Sequence, residues 1–443
     1  MNTPIADFVK KYADSECLRF HMPGHKGKTF LGCEALDITE VKGADALYEA
    51  EGIIAESEKN ATKLFGTQRT VYSTEGSSQC IKAMLYLAMT YKKSQGKPYV
   101  IAARNVHKSF LYAAALLDLE VVWLYPEEMH SICSCIILAE QVEVELKKHK
   151  EMPIAVYVTS PDYLGGQTDI ASIAEVCHKY NTILAVDNAH GAYLHFLKNA
   201  SHPIDLGADI CSDSAHKTLP VLTGGAYLQI SHNAPSYFSK NAKQAMALFG
   251  STSPSYLTLC SLDLCNKYLS GGYKNELLET ALNVQKAREN LRENGWQIEV
   301  TEPLKIVINC PKEITGIEVA EKLRKHNIEC EYADTKYVVF MVSVQNSKRE
   351  LDELVVTLGK NEYGKCEQDI FSPVKSQQIC SIRQAIFSQS ECLDVKDAEG
   401  KICATPEVGC PPAIPIVISG EVISKEAIKL FEYYGIKEVE AIL

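Results

Sequence analysis

The chain has 443 residues, enough for two or more domains that each bury a core. Apolar residues make up 46% and charged residues 23%, proportions typical of a soluble globular protein. The formal net charge of −11, with no long basic run, disfavours nucleic acid or an anionic membrane as a partner, because both need clustered Lys and Arg.

The apolar stretches and the cysteines of the sequence indicate the cellular compartment and whether a metal site is expected. No apolar stretch approaches the roughly 20 residues of a membrane span, and the N-terminal residues lack the pattern of a signal peptide. We therefore expect a cytoplasmic protein whose 16 cysteines are mostly reduced thiols. The spacings Cys133–Cys135 and Cys403–Cys410 are not those of zinc sites, and no structural metal is expected.

Helices and strands alternate through the first half of the chain. A short helix with Ile5, Phe8 and Val9 on one face leads into a loop rich in Pro and Gly at 21–27. The predicted strands that follow are 69–73, 99–102, 120–124, 154–159 and 183–186, and the predicted helices are 56–64, 78–91, 108–117, 138–149 and 170–180. Because the strands are continuous apolar runs, they predict a doubly wound, mostly parallel sheet with its ligand beyond the carboxyl ends of the strands.

A second, smaller domain is predicted after an amphipathic helix at about 274–294. The segments that follow mix strand and helix periods, as in a small α+β domain: 296–300, 304–309, 316–326, 328–332, 338–344 and 348–358. Residues 361–380 read as a linker, followed by a helix near 382–387, a strand at 416–418 and a helix at 424–434. We expect an N-terminal arm and large domain over 1–273, and a linking helix and small domain over 274–443.

The stretch Ser214-Ala-His216-Lys217-Thr218 places a lysine among hydroxyl residues with no carboxylate beside it. Such an amine suits a Schiff base with an aldehyde, and pyridoxal phosphate (PLP) is the usual aldehyde in enzymes. Taken alone, the stretch fits an exposed lysine in a turn at least as well.

Asp187 favours the functional interpretation of Lys217. It follows the strand 183–186 at its carboxyl end, where a carboxylate can pair with a pyridinium N–H and keep the ring protonated. An N-cap aspartate would look the same. Lys217 comes thirty residues later, after another strand-like step at 209–211, and this order supports the cofactor site.

The turn Gly76-Ser77-Ser78 lies between a predicted strand and a predicted helix. Its hydroxyls and backbone N–H groups at a helix N-terminus could bind a phosphate dianion, although a simple N-cap is the alternative. The turn matches neither a P-loop nor a G-x-G-x-x-G motif, which disfavours a nucleotide.

His107 follows the strand at 99–102 in the stretch Asn105-Val-His107-Lys108-Ser109. Its ring could lie flat over an aromatic cofactor, or it could cap the helix at 108–117. The residues alone leave both interpretations open.

Taken in this order, the motifs resemble the bacterial Orn/Lys/Arg decarboxylases, PLP enzymes of fold type I in the aspartate aminotransferase superfamily. The resemblance covers nearly the whole chain and includes further short motifs at 21–26, 37–40, 64–66, 251–256, 411–415 and 419–421. So many short motifs in one order are more specific than any one of them.

The resemblance implies roles for the residues around the cofactor ring. Lys217 would form the Schiff base with PLP, Asp187 would pair with the pyridinium nitrogen, and His107 would stack on the ring. His190 matches a position beside the ring where this family carries Trp or His.

The resemblance also implies a phosphate site and a homodimer. The phosphate would be held at the Gly76 turn by four side chains: Ser77, Ser78, Ser214 and His216. Thr252 would reach the phosphate of the neighbouring subunit, which implies a dimer with shared active sites. Since the receiver-like domain of the large acid-induced enzymes is not in the sequence, a dimer is expected rather than their decamer.

Three departures from the family pattern concern substrate identity more than reaction type. Glu75 stands where many relatives have Asn before the Gly-Ser turn. Near the C-terminus, Gly409-Cys410-Pro-Pro-Ala413-Ile-Pro replaces the usual Pro-Tyr-Pro-Pro-Gly-Ile-Pro, and Thr405 replaces an acidic residue. The C-terminal segment helps to form the substrate pocket in relatives.

The function that the resemblance implies is PLP-dependent decarboxylation of lysine, ornithine or arginine to the corresponding amine and CO₂. The alternatives are transamination or elimination on the same fold, or a non-catalytic relative. A transaminase would clamp the α-carboxylate with an arginine, for which Arg383 is a candidate, although an exposed helix residue fits Arg383 as well. A non-catalytic relative would be expected to lack Lys217 or Asp187.

A basic substrate also needs an acid or carbonyl for its distal cation, because a buried unpaired charge is costly. The candidates are Glu40, Asp45, Glu49 and Glu407, each of which could equally be a surface acid.

Overall fold

A computed structural model describes residues 1–92, 96–364, 366, 373–406 and 413–443. The helices are α1 (Pro4–Ala13), α2 (Ile53–Phe65), α3 (Gly76–Tyr91), α4 (Lys108–Leu117), α5 (Ala139–Lys148), α6 (Ile170–Lys179), α7 (Ala215–Thr218), α8 (Ser236–Leu248), α9 (Tyr256–Leu269), α10 (Tyr273–Glu293), α11 (Gly316–Arg324), α12 (Lys348–Leu358), α13 (Ile382–Ile386) and α14 (Lys425–Tyr433). None of the described helices is long and apolar enough to cross a membrane.

The strands, in chain order, are β1 (Arg69–Ser73), β2 (Tyr99–Ala103), β3 (Glu120–Leu124), β4 (Ala155–Thr159), β5 (Ile183–Asp187), β6 (Ile210–Asp213), β7 (Ala226–Ile230), β8 (Gln297–Ile298), β9 (Lys305–Asn309), β10 (Tyr332–Ala333), β11 (Tyr337–Met341), β12 (Ser390–Asp394) and β13 (Glu438–Ile442). The chain forms two compact units, Met1–Lys93 with Ile183–Glu276, and Ser94–Thr182 with Leu277–Leu443. The boundary predicted at residue 273 stays a prediction.

The first unit is built on strands in the order β1-β7-β6-β5. β5 and β6 run parallel, with Val186 opposite Cys211, whereas β7 is antiparallel to both of its neighbours. Every residue of β5, β6 and β7 is buried, as expected for a sheet covered on both faces. Consequently, residues that follow β5 and β6 emerge at the same edge of the sheet.

Asp45 organises the entry into the first unit's helix α2. Its two carboxylate oxygens accept hydrogen bonds from the backbone N–H groups of residues 46, 51, 52, 54 and 55, at 2.8–3.4 Å. A carboxylate at this end of a helix also complements the helix dipole. The interpretation of Asp45 as a ligand for the substrate cation is therefore wrong, because its oxygens are used by the backbone.

Replacing Asp45 with alanine is expected to lower the free energy of unfolding by about 2 kcal/mol, the scale of losing a charge-assisted cap. Chemical unfolding of the purified variant measures this loss. Glu49→Ala removes a nearby exposed acid and should change stability by less than about 0.5 kcal/mol. Equal stability of Asp45→Ala and the wild type would show that the cap is not needed.

The second unit contains three strands in the order β4-β2-β3, all parallel. It also contains an antiparallel sheet in the order β10-β11-β9-β8, with α11 and α12 beginning at capping boxes of Thr315 with Glu318 and Ser347 with Glu350. Buried apolar residues from this sheet and from helices α10, α11 and α12 form one core. The predicted α/β class with a smaller α+β part is observed.

The C-terminal part of the second unit differs from the prediction. Residues 416–418 are not a strand, and the sheet in this region is instead the antiparallel pair of β12 and β13. The physical reason is that the carbonyl groups of Pro415 and Ile416 accept hydrogen bonds from Arg104 rather than from a neighbouring strand.

Candidate active site

Lys217 and His190 meet at the carboxyl ends of β5 and β6. Lys217 lies on the short helix α7, which begins two residues after β6 ends, and His190 lies three residues beyond β5. The Nζ atom of Lys217 is 3.0 Å from Nε2 of His190, whose side chain is buried. Two residues that the sequence singled out separately are thus in direct contact.

Asp187 ends strand β5 at the same edge of the sheet. Its side chain is buried, and Oδ1 accepts a hydrogen bond from the backbone N–H of Ala189 at 3.2 Å, with the Ser212 hydroxyl at 3.5 Å. The residues that follow form a short 3₁₀ helix over Ala192–Phe196, of which Gly191 is the N-cap residue. Asp187 therefore caps no helix, and its carboxylate is a buried acid at the site.

A polar network surrounds Asp213, which ends the neighbouring strand β6, and this network was not predicted. The buried Asp213 carboxylate accepts hydrogen bonds from Asn188 Nδ2 at 2.6 Å, from Gln229 Nε2 at 3.0 Å, and from His202 Nε2 at 3.1 Å. Because Nδ1 of His202 accepts from the backbone N–H of Ile204, the ring proton lies on Nε2, facing Asp213. The network thus fixes Asn188, the residue next to Asp187.

His202, Cys211 and Asp213 are also a group whose atoms could hold a metal ion among the described residues. Their polar groups, however, already bond to one another, and burial raises the pKa of the Cys211 thiol well above its usual value. We therefore assign the group to the hydrogen-bonded network around Asp213, which holds the side chain of Asn188 next to Asp187.

The predicted phosphate site lies at the N-terminus of α3. Gly76 is the first residue of this 16-residue helix, with φ of +70°, and its backbone N–H donates to Gly224 O at 2.7 Å. The hydroxyl groups of Ser214 and Ser77 are 2.8 Å apart. Gly224 is required because a Cβ there would lie 2.6 Å from the carbonyl oxygen of Thr74. Two hydroxyls and a helix N-terminus therefore converge, as a phosphate site needs.

His216 lies beside this helix N-terminus. A Cβ on Gly76 would be 3.9 Å from Cε1 of its ring, and its Nδ1 is 3.0 Å from Gly225 O. Burial lowers the pKa of His216, with a smaller contribution from the nearby charge of Lys217. Since the carbonyl accepts, Nδ1 carries the proton, and the neutral ring presents Nε2 as its second polar atom.

Glu75 and Thr252 occupy neighbouring parts of the first unit. Glu75 is the N-cap residue of α3, and its carboxylate accepts a hydrogen bond from the backbone N–H of Ser251. This bond ties the Gly76 turn to the loop that carries Thr252. Thr252 itself is exposed in the chain.

His107 belongs to the second unit, where it is the N-cap residue of α4. Its Nδ1 accepts from the backbone N–H of Ser109 at 3.2 Å and lies 2.9 Å from the Ser109 hydroxyl. The capping interpretation of His107 is therefore confirmed, and stacking on the cofactor ring stays a prediction. With Nδ1 accepting, the proton of the neutral ring lies on Nε2.

The remaining candidates for the substrate pocket are less informative. Glu40 and Glu49 are exposed, whereas Glu407 and Cys410 lie outside the described residues. Arg383 donates to the carbonyl groups of Ala115 and Leu116, at 3.0 and 3.3 Å, at the C-terminus of α4. Arg383 is thus an exposed residue that caps a helix, as the alternative to its role as the carboxylate clamp of a transaminase predicts.

The comparisons with known proteins show the family to which the chain belongs. The model of the Orn/Lys/Arg decarboxylase major domain matches residues 3–312, and that of the C-terminal domain matches residues 366–440. An arginine decarboxylase of Halalkalibacterium halodurans is 30% identical, over 96% of this chain and 91% of its own, and one of Bacillus subtilis is 28% identical, over 96% and 92%. The lysine decarboxylase LdcF of Francisella novicida superposes with a TM-score of 0.81 at 16% identity, over 100% of this chain and 81% of its own, which shows the fold.

The chain belongs to the Orn/Lys/Arg decarboxylase family. The fold type I architecture expected from the sequence is confirmed, and the chain is an amino acid decarboxylase of the basic class.

Proposed function

We propose that the chain decarboxylates L-arginine to agmatine and CO₂, with PLP as its cofactor. The contact between Lys217 and His190, at the sheet edge where Asp187 ends β5, carries the proposal. Support for arginine comes from the H. halodurans and B. subtilis relatives, which are named arginine decarboxylases and match over nearly their whole length.

The first unit has the groups that PLP requires. Lys217 offers an amine for the aldehyde, and Asp187 offers a buried carboxylate for the ring nitrogen. Ser77 and Ser214 offer hydroxyls at the N-terminus of α3, where the absence of a side chain on Gly76 leaves room beside His216. Bound PLP would supply an electron sink for the pair released when the bond from Cα to the carboxylate breaks.

Each residue then has a distinct task. Asp187 would keep a proton on the ring nitrogen, and the network of Asp213 holds the adjacent side chain of Asn188 in place. Lys217 Nζ and His190 Nε2 can exchange a proton across 3.0 Å, so that this pair can deliver the proton that Cα takes up after CO₂ leaves. The hydroxyls at α3 anchor the phosphate.

We further propose a cytoplasmic homodimer with shared active sites. The loop of Thr252 is exposed in the single chain, as a residue that serves a neighbouring subunit would be. The N-terminal arm also exposes large apolar side chains, Leu18, Phe20, Met22, Phe30 and Leu31. So many exposed large apolar side chains within one short stretch favour a protein partner, and a second copy accounts for both observations.

We expect kcat/KM for arginine to exceed that for leucine by at least ~10²-fold, roughly the value of one charge-assisted contact. The PLP-loaded protein is incubated with single L-amino acids, and amine products are measured by mass. Citrulline is the matched control, since it has nearly the shape of arginine without the charge, and it should react as poorly as leucine.

Two outcomes would contradict parts of the proposal. Preference for lysine or ornithine would refute arginine as the substrate but would still fit a decarboxylase of basic amino acids. Equal turnover of citrulline and arginine would show that the distal charge is not recognised.

A further inference from the structure

The loop that carries His107 is joined on both sides to the C-terminal part of the second unit. Before His107, Nη1 of Arg104 donates to Pro415 O and Nη2 donates to Ile416 O, both at 3.0 Å. After His107, the backbone N–H of Lys108 donates to Ala413 O at 3.1 Å. Three hydrogen bonds therefore join the His107 loop to the segment 413–416.

Arg104 is held in a single orientation by its surroundings. Its side chain is 10% exposed, and Nη2 lies 3.4 Å from Oε2 of Glu421, which is 2% exposed. The guanidinium lies over the ring of Trp123, 5.5 Å from the centroid. A planar fork that reaches two carbonyls and a carboxylate at once is a geometry that lysine cannot reproduce.

Glu421 in turn binds the backbone two residues beyond this segment. Its Oε2 accepts from the backbone N–H of Ile418 at 2.8 Å, and its own N–H donates to Ile418 O at 2.9 Å. Burial raises the pKa of Glu421, whereas the Arg104 charge acts in the opposite direction. Arg104 thus compensates a buried carboxylate while it also binds the two carbonyl groups of Pro415 and Ile416.

We propose that Arg104 is a positioning residue, which sets His107 for its role at the cofactor by docking the segment 413–416 against the His107 loop. This rests on the proposed function, together with the prediction that His107 stacks on the cofactor ring. His107 cannot reorient alone, because Ser109 fixes its ring and Lys108 is bonded to Ala413. The position of the ring therefore depends on the docked segment.

The test is a double-mutant cycle in the PLP-loaded enzyme with Arg104→Lys and His107→Ala. Arg104→Lys keeps a positive charge near Glu421 but loses the fork. We expect it to lower kcat/KM for the preferred substrate by ~10–100-fold when His107 is present, the scale of a small misplacement, and by less than about 2-fold in the His107→Ala background. A purely structural role would give the same loss in both backgrounds.

A second readout does not depend on turnover. In protein labelled with ¹⁵N-histidine, the His107 ring signals are identified by their loss in His107→Ala. Arg104→Lys should shift these signals and leave the other histidines in place. Arg383→Lys is the matched control, because Arg383 binds carbonyls at the opposite end of α4, and it should change neither readout.

An equal loss of kcat/KM in both backgrounds, or unshifted His107 signals, would overturn the inference. If Arg104→Lys does not fold, Glu421→Gln removes the charge partner of Arg104 and carries the same two expectations. Failure of the proposed function is distinguishable, since it would appear as absence of turnover in the wild type, whereas the histidine signals report on the docking alone.

Discussion

Replacing Lys217 with alanine should abolish the visible absorbance band of lysine-bound PLP and lower turnover by more than ~10³-fold. The side chain removed is the amine that would hold the aldehyde, and its Nζ lies 3.0 Å from His190. Alanine leaves the proposed phosphate and carboxylate groups in place, so the variant should remain folded. Absorbance spectra and initial rates with the preferred substrate measure the two effects.

The control for this variant is Lys240→Ala, which removes an exposed lysine on α8 of the same unit. It should keep the absorbance band and at least half of the wild-type rate. Persistence of both the band and the activity in Lys217→Ala would mean that another amine holds the cofactor.

Replacing Asp187 with asparagine should lower turnover by ~10²–10⁴-fold, the scale of losing one positioned electrostatic partner. Asparagine has nearly the same shape but no charge to keep the ring nitrogen protonated. PLP should still bind, because Lys217 and the protein groups that would bind the phosphate are unchanged. Activity is measured at saturating PLP, and binding is followed by the absorbance band.

Asp169→Asn is a matched control, since Asp169 is an exposed N-cap residue whose carboxylate accepts from Ser172 N at 3.1 Å. Asparagine caps helices about as well as aspartate, and the rate should be unchanged within about 2-fold. Activity of Asp187→Asn within a few-fold of the wild type would show that ring protonation does not limit the reaction.

The alternating part of the fold was predictable because its strands are continuous apolar runs. β1, β3 and α4 begin and end at the predicted residues. In contrast, β7, with the sequence Ala-Tyr-Leu-Gln-Ile, was missed. The predicted strand at 416–418 was wrong because two carbonyls of that region are used by Arg104, a contact with a residue about 300 positions earlier that no local pattern reveals.

In the candidate site, too, some features could be predicted from the sequence and others could not. The positions of Lys217, Asp187 and the Gly76 turn could be predicted because each follows or precedes a recognisable strand, whereas their roles at a cofactor stay predictions. Asp45 could not be interpreted correctly, because five backbone N–H groups determine its role and only the folded loop brings them together. Asp213 was missed for a related reason, since its partners lie 11 to 25 residues away.

The most direct test of the central claim is to incubate arginine with the PLP-loaded enzyme in D₂O and analyse every product. Decarboxylation predicts CO₂ and agmatine in equal amounts, with one deuterium on the carbon that carried the carboxylate. A keto acid in place of CO₂ would contradict the account and favour transamination on the same fold.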